Sequence, residues 1–265
     1  MKRRSFVKTS VLTGAAAAIM PAISRAAIEN AKNTDMEFYE LRIYSFKNDT
    51  QQSLVENYFK NAAIPALNRL GIKHVGVFTE LKPTGQTRIF VITPYKSLDD
   101  FIKVNDKLES DQLYKDQGSA YLTAPSTDPA YIRIESSLLK AFSHAPKMEV
   151  PIAKTRIFEL RQYQSASESA GKKKIEMFNT GGEIDMFKRL GFNPVFFSET
   201  IIGVARPNLT YMLTYDDMTA HNTLWKAFGS DPEWKKVRTL PEYADSLIVS
   251  KITSTFIAPT AYSQI

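Results

Sequence analysis

An internal repeat constrains this chain more than any other feature of its sequence. Segment 39–44 reads Tyr-Glu-Leu-Arg-Ile-Tyr and returns 119 positions later as Phe-Glu-Leu-Arg-Gln-Tyr. The triplet Arg-Leu-Gly at 69–71 returns at 189–191, a shift of 120. A nearly constant shift across blocks that keep their order indicates a duplicated unit.

The duplication divides the chain into two domains. We predict repeat one at 35–144, a linker at 145–152 and repeat two at 153–265. The linker is short and rich in proline, which is typical of a domain boundary.

Each unit predicts the same order of elements. In repeat one, a strand alternates over 36–46 and a helical pattern ends at Gly71. Two strands follow as a hairpin within 74–93, a helix begins after Ser97, and a last strand occupies 131–142. The order β-α-β-β-α-β is the ferredoxin-like arrangement, an antiparallel sheet with both helices on one face.

A sheet covered on one face leaves its other face exposed. Two such sheets in one chain can pack their open faces together and close a barrel. The predicted fold class is therefore α+β, with two tandem ferredoxin-like repeats forming an internal pseudo-dimeric α+β barrel.

The first residues resemble an export signal. Segment 2–8 reads Lys-Arg-Arg-Ser-Phe-Val-Lys, the pattern of a twin-arginine signal. The apolar run at 11–20 is shorter than the roughly twenty residues that span a bilayer, and Ser24 and Ala26 are small residues of a cleavage site. We predict a signal peptide at 1–26, a tail at 27–34 and a periplasmic or secreted protein without a membrane anchor.

Charge and cysteine content exclude several classes of partner and cofactor. The chain has 34 basic and 28 acidic residues, and the predicted signal holds five of the basic ones and no acid, so 29 basic residues remain. This balance predicts no nucleic-acid partner. The run at 172–174 is interpreted as a solvated helix start. With no cysteine, disulfides, iron–sulfur clusters and cysteine-ligated zinc are excluded.

Two dense motifs have structural interpretations. The block at 231–234, Asp-Pro-Glu-Trp, is typical of a helix start, with Asp as the cap and Pro in the first turn. The pair Gly181 and Gly182 is interpreted as a helix interruption, because no strand and no Gly-Lys-Ser/Thr pattern surrounds it.

These motifs also resemble a known family. The strand at 38–44, the helix end at 69–71 and the block at 231–234 are similar to the NIPSNAP family. The resemblance covers nearly the whole mature chain, once per repeat, and implies the dimeric α+β barrel superfamily. That superfamily includes cofactor-independent monooxygenases, isomerases and haem-handling proteins, whereas NIPSNAP proteins have no settled enzymatic role. Repeat one lacks the full Asp-Pro-Glu-Trp block.

The repeated strand carries the candidate binding residues. Its polar residues share one face, and we predict that this face points into the barrel while the apolar face meets the helices. One interpretation is an interior pocket whose arginines hold an anionic or carbonyl ligand, and the other is a structural ion-pair ladder across the pseudo-two-fold axis. The residues are Glu40, Arg42 and Tyr44, with Glu159, Arg161 and Tyr163 in repeat two.

The three histidines predict no metal site, since none is spaced as a ligand pair. His74 lies in a predicted strand, where it could enter the barrel as a base or ligand contact. His221 is interpreted as a surface residue on a helix.

Two functions follow. The first is an exported module that binds a small ligand or a protein partner through the barrel or its outer face, as a monomer or a homo-oligomer. The alternative is a cofactor-independent barrel enzyme, monooxygenase- or isomerase-like, that acts on a small organic acid or aromatic compound. In that case His74, Arg42 and Arg161 are the catalytic candidates, and no cofactor is predicted for either function.

Overall fold

A computed structural model of the protein describes residues 36–83 and 85–265. The predicted signal peptide at 1–26 and tail at 27–34 lie outside the described residues.

Both repeats have the predicted order of elements. Repeat one contains β1 (Phe38–Ser45), α1 (Asp49–Tyr58), a π-helical turn (Phe59–Ala63), α2 (Ile64–Arg69), β2 (Gly76–Glu80), β3 (Arg88–Tyr95), α3 (Leu98–Glu109), α4 (Gln112–Leu122) and β4 (Arg133–Ala141). Repeat two contains β5 (Ile157–Gln164), α5 (Glu168–Asn179), α6 (Glu183–Arg189), β6 (Asn193–Ile202), β7 (Asn208–Tyr215), α7 (Met218–Ser230), α8 (Pro232–Arg238), a 3₁₀ turn (Pro241–Tyr243), α9 (Asp245–Ile248) and β8 (Lys251–Pro259).

Helix boundaries follow local chemistry that both repeats share. The first helix of each repeat is capped by a side chain, Asn48 in α1 and Ser167 in α5, which accepts a backbone N–H of the first turn. The chain leaves α2 and α6 through Gly71 and Gly191, at φ values of 81° and 87° that favour glycine.

The predicted helix interruption at Gly182 is confirmed. Gly182 has φ 84° and stands directly before α6. Repeat one keeps its helix continuous there but widens to a π-helical turn just before Pro65. Since proline cannot donate to the carbonyl four residues back, this turn accommodates it.

The eight strands close into an antiparallel barrel, which confirms the predicted fold class. Their order is β1-β3-β2-β8-β5-β7-β6-β4. The repeats meet along two seams, where β2 pairs with β8 and β4 pairs with β6. Closure leaves neither sheet with an open face or a free edge.

The barrel interior is apolar and filled. Side chains from both sheets interlock there, with the rings of Tyr39 and Phe196 5.0 Å apart and those of Phe78 and Phe158 4.9 Å apart. The prediction that the polar face of the repeated strand points inward is therefore wrong. Tyr39 and Leu41 belong to the interior cluster, and the polar residues lie on the outer face, under the helices of their own repeat.

Two of the motifs that carry the family resemblance, the Arg-Leu-Gly helix end and the Asp-Pro-Glu-Trp block, contact each other. Arg189, at the end of α6, donates to both carboxylate oxygens of Asp231 at 2.9 and 3.0 Å, and Asp231 caps α8 by accepting from the backbone of Trp234. The hydrogen bonds from Arg189 lower the pKa of Asp231 to about 2. Arg69 and Asp111 repeat the contact in repeat one. The structural interpretation of the Asp-Pro-Glu-Trp block is confirmed.

Candidate functional site

An acid–arginine pair lies beneath the helices of repeat one. Arg42 Nε donates to Glu40 Oε1 at 2.6 Å, and the same oxygen accepts from Ser136 Oγ at 2.8 Å. Tyr95 donates to the other carboxylate oxygen at 3.4 Å. Burial alone would lower the pKa of Arg42, but the charge of Glu40 raises it above its ordinary value, so the guanidinium stays cationic.

Repeat two contains the same arrangement. Arg161 donates to Glu159 Oε1 at 2.6 Å, and Ser254 and Tyr215 donate to the carboxylate at 2.6 and 2.9 Å. Burial would raise the pKa of Glu159, but Arg161 and these hydrogen bonds outweigh it, so the pKa lies below its ordinary value. Each ion pair is formed within one repeat, which rules out a ladder across the pseudo-two-fold axis.

The two pairs differ in what covers them. In repeat two the indole of Trp225 lies 4.4 Å from the Arg161 guanidinium, whose side chain is 15% exposed. The equivalent position in repeat one is Asn105, an exposed residue, and the side chain of Arg42 is 30% exposed. The same pair is thus closed in one repeat and open in the other.

The opening in repeat one is a crevice of about 70 Å³ between the sheet and the helices. Glu40 and Arg42 line it together with tyrosine hydroxyls. Tyr58 and Tyr114 share a hydrogen bond of 2.8 Å, and burial raises the pKa of Tyr58 and of Tyr95. The crevice therefore presents a fixed cation, a carboxylate and protonated phenols, which suit a carbonyl or carboxylate group.

Tyr44 and Tyr163, the remaining predicted binding residues of the repeated strand, pack in the cores under the helices. The ring of Tyr44 meets Phe59 edge-on at 5.5 Å. Tyr163 accepts from Arg161 at 3.0 Å and stacks on Tyr211 at 5.9 Å. Both belong to the apolar cores under the helices.

His74 does not join Arg42 or Arg161. It is an exposed loop residue before β2, with φ 62°, and not part of the strand as predicted. It lines a separate surface cleft. The expectation that His74 could enter the barrel is therefore wrong. The three catalytic candidates do not converge, because the arginines lie on opposite repeats and the histidine lies at a barrel end.

His221 is a site residue that the sequence reasoning missed. Its Nε2 lies 3.4 Å from Glu159 Oε2, and its side chain is 14% exposed, so the surface interpretation was wrong. The ring packs edge-on against Tyr215 at 4.9 Å, as Phe101 packs against Tyr95 at 5.4 Å. Phe101, 120 positions before His221, was the sequence signal that position 221 holds an inward-facing ring.

A third ion pair, buried in repeat two, was also missed. Lys174 Nζ lies 3.5 Å from Glu183 Oε2, with side chains 2% and 3% exposed. The ammonium also lies 5.1 Å from the Tyr163 ring and 5.2 Å from the Phe178 ring. Lys174 was interpreted as part of a solvated run, and that interpretation was wrong for this residue.

Among residues 36–83 and 85–265, no three acidic, histidine or cysteine side chains are grouped so that they could hold a metal ion. No helix in this part of the chain is long and apolar enough to cross a membrane.

Two of the solved structures to which the chain is similar share its fold. A Fusobacterium nucleatum protein described as a "putative monooxygenase" is 11% identical, with a TM-score of 0.57 over 85% of this chain and 93% of that one. An "anthrone oxidase-like protein" is 10% identical, with a TM-score of 0.50 over 85% and 92%. A NIPSNAP family protein from Agrobacterium tumefaciens is 18% identical, with a TM-score of 0.36 over 42% of this chain and 98% of that one.

Sequence comparison assigns the family. No curated protein matches the chain. The NIPSNAP family model matches twice, at residues 39–146 and 158–264. The two matches coincide with the two halves of the barrel and together cover most of the chain, which therefore belongs to the NIPSNAP family as a tandem pair of its domains.

Proposed function

We propose that this protein is an exported module that binds a small organic ligand at repeat one. The ligand site is the crevice above Glu40 and Arg42, between the sheet and the helices. It replaces the barrel interior as the expected site, because that interior is filled by apolar side chains. Repeat two provides the closed counterpart.

The difference between the repeats supports this proposal most strongly. Both carry the Glu–Arg pair with its serine and tyrosine partners, so the pair alone is a feature of the fold. Only repeat one has Asn105 where repeat two has Trp225, and Val91 where repeat two has Tyr211. These smaller residues line the crevice and leave Arg42 accessible.

The chemistry of the crevice indicates the group that it would hold. One donor of Arg42 is used by Glu40, and the guanidinium has five N–H donors in total. A carbonyl or carboxylate oxygen of the ligand would accept from Arg42 and from a protonated phenol. With about 70 Å³, the crevice accepts one functional group of a ligand rather than a whole molecule.

Filling the crevice tests the proposal. We expect Asn105→Trp to place an indole over Arg42, as Trp225 covers Arg161, and to abolish binding while the melting temperature stays equal or rises. Binding would be measured by ligand-observed NMR with a set of benzoates and aryl ketones. Ile102→Trp is the matched control, because Ile102 lies on the same helix and is 69% exposed. Equal binding by Asn105→Trp and wild type would contradict the site.

Export is the second part of the proposal, and the pattern at 2–8 supports it. Replacing Arg3 and Arg4 together by lysine is expected to keep the full-length protein in the cytoplasm. The wild-type protein should appear in the periplasm or medium with Ala27 as its first residue, as read by intact mass. Unchanged export of the double-lysine variant would remove the twin-arginine assignment.

A cofactor-independent enzyme is the second candidate. The observation in its favour is a cationic Arg42 next to protonated tyrosines, a set that can stabilise negative charge developing on an enolate or phenolate. Two structures that share the fold carry monooxygenase and oxidase descriptions. Oxygen uptake with anthrone separates this candidate from binding alone, since a binding module consumes no oxygen above the protein-free rate.

A further inference from the structure

A larger cleft opens beside the crevice, at one end of repeat one. It has a volume of about 470 Å³ and lies between the loop before β2, the end of β3 and the helix α3. Leu70, Ile72, Val104 and Met148 give it an apolar floor. Pockets of this size accept small organic molecules, and an apolar floor favours a ligand with an apolar body.

The backbone explains why the cleft exists in repeat one. In repeat two, β6 begins at Asn193 and pairs there with Thr214, and Pro194 pairs with Leu213. In repeat one the equivalent residues precede β2, and His74 has φ 62°. A left-handed residue turns the chain away from β3, whereas proline cannot adopt that conformation. The pairing between β2 and β3 in repeat one is therefore shorter than the pairing between β6 and β7 in repeat two, and the space next to the end of β3 stays open.

Three lysines surround this cleft without acidic partners. They are Lys73, Lys96 and Lys107, all exposed and all lining the cleft. Within residues 36–83 and 85–265, none of them lies within salt-bridge distance of a carboxylate.

Two acids share the lining and already have local partners. Glu37 accepts the backbone N–H of Met148, and Asp100 accepts from the hydroxyl of Ser97 at its helix start. The lysine ammonium groups are therefore the groups available to a ligand.

The basic residues on the corresponding surface of repeat two are paired or buried. Lys154 pairs with Asp216 and Lys188 with Glu149, and Arg156 is buried and donates to a backbone carbonyl. The positions equivalent to the three lysines hold Asn193, Asp216 and Ala227. Of these two corresponding surfaces, the one in the repeat with the open crevice is therefore the one that presents exposed lysines without acidic partners.

We infer that this cleft binds an amphipathic organic anion. The acidic group, a carboxylate or another oxyanion, is held by the three lysines, and the apolar body lies on the floor between Ile72 and Val104. Lysine suits this task because its ammonium is a mobile point charge that needs no fixed geometry. Tyr95 and Val104 line both the cleft and the crevice, so the two spaces are neighbours. In naming this ligand class, the inference rests on the proposed function.

A fluorescent probe tests the cleft directly. Anilinonaphthalene sulfonate combines an acidic group with an aromatic body, and N-phenylnaphthylamine is its neutral analogue. We expect Lys73→Gln, Lys96→Gln and Lys107→Gln together to weaken sulfonate binding about tenfold, since each exposed charge contributes little alone. Binding of the neutral analogue should stay unchanged.

The control variant removes three exposed lysines of repeat two, Lys226, Lys235 and Lys236, by the same change to glutamine. Equal weakening in both triple variants, or none in the cleft variant, would overturn the inference. Decanoate should displace the probe at concentrations where inorganic phosphate does not. Equal displacement by phosphate would overturn the inference that the cleft floor binds the apolar body of the ligand. Probe binding that persists in Asn105→Trp and is lost in the cleft variant supports the cleft even if the crevice binds nothing.

Discussion

Glu183→Leu is expected to lower the free energy of unfolding by about 3–5 kcal/mol, because it leaves the buried ammonium of Lys174 without its counter-ion. Lys174 is 2% exposed, and its remaining contacts are the sulfur of Met177 and aromatic rings. Lys174→Met should cost less. Burial already raises the pKa of Glu183 against the opposing charge of Lys174, so this carboxyl can take up a proton when Lys174 is removed.

The double variant Lys174→Met with Glu183→Leu should recover most of the lost stability. Replacing a buried ion pair by apolar residues of similar volume is often neutral or stabilising, and repeat one has Val55 and Ala63 at these positions. Urea denaturation of the four proteins gives the interaction energy. A double variant whose loss equals the sum of the single losses would show that the charges are not coupled. Lys172→Met, at an exposed neighbouring position, should leave the curve almost unchanged.

The topology was predictable because it depends on features that local sequence records. Strand alternation, capping residues and Gly71 with Gly191 mark the elements, and the repeat shows that they occur twice. Closure then follows from the need to cover two open sheet faces.

The direction of the polar face was not predictable in the same way. In β1, Tyr39, Glu40 and Leu41 are all buried, because the strand lies between the barrel core and a helical layer. Alternating hydropathy distinguishes core from open solvent, but here the outer face lies largely under helices. The apolar face was assigned to the helices, whereas it fills the closed interior of the barrel.

Helical spacing did contain the signal for Lys174. In α5 the buried residues are Gly171, Lys174, Met177 and Phe178, which recur at three- and four-residue intervals. The run at 172–174 was interpreted by its charge alone, and its helical spacing was not considered. That spacing places Lys174 on the buried face of the helix. The open crevice of repeat one, in contrast, exists because the side chain of Asn105 does not cover Arg42. The sequence alone does not show that position 105 lies above the Glu40–Arg42 pair.

Glu159→Ala is expected to destabilise the protein by about 3–5 kcal/mol, and Glu40→Ala by less, about 1–2 kcal/mol. Glu159 is the counter-ion of Arg161, which lies under Trp225 and cannot turn to water. Arg42 is 30% exposed and can be hydrated when Glu40 is removed. Urea denaturation of both variants at pH 7 measures the difference, and equal losses would show that the cover over Arg161 has no energetic role.

The pH dependence of Glu159→Gln provides a second and independent measurement of the same pair. The pKa of Glu159 in the folded protein lies below its ordinary value of 4.5, so the unfolded state binds the proton more readily. The contribution of Glu159 to stability is therefore fully present above pH 4.5 and is lost as the pH falls towards the folded-state pKa. Glu159→Gln has no such dependence, so its deficit relative to wild type should shrink below pH 4.5. A deficit that is constant from pH 7 to pH 3 would contradict a lowered pKa of Glu159 in the folded protein, and with it the stabilisation of the charged carboxylate by Arg161, Ser254 and Tyr215.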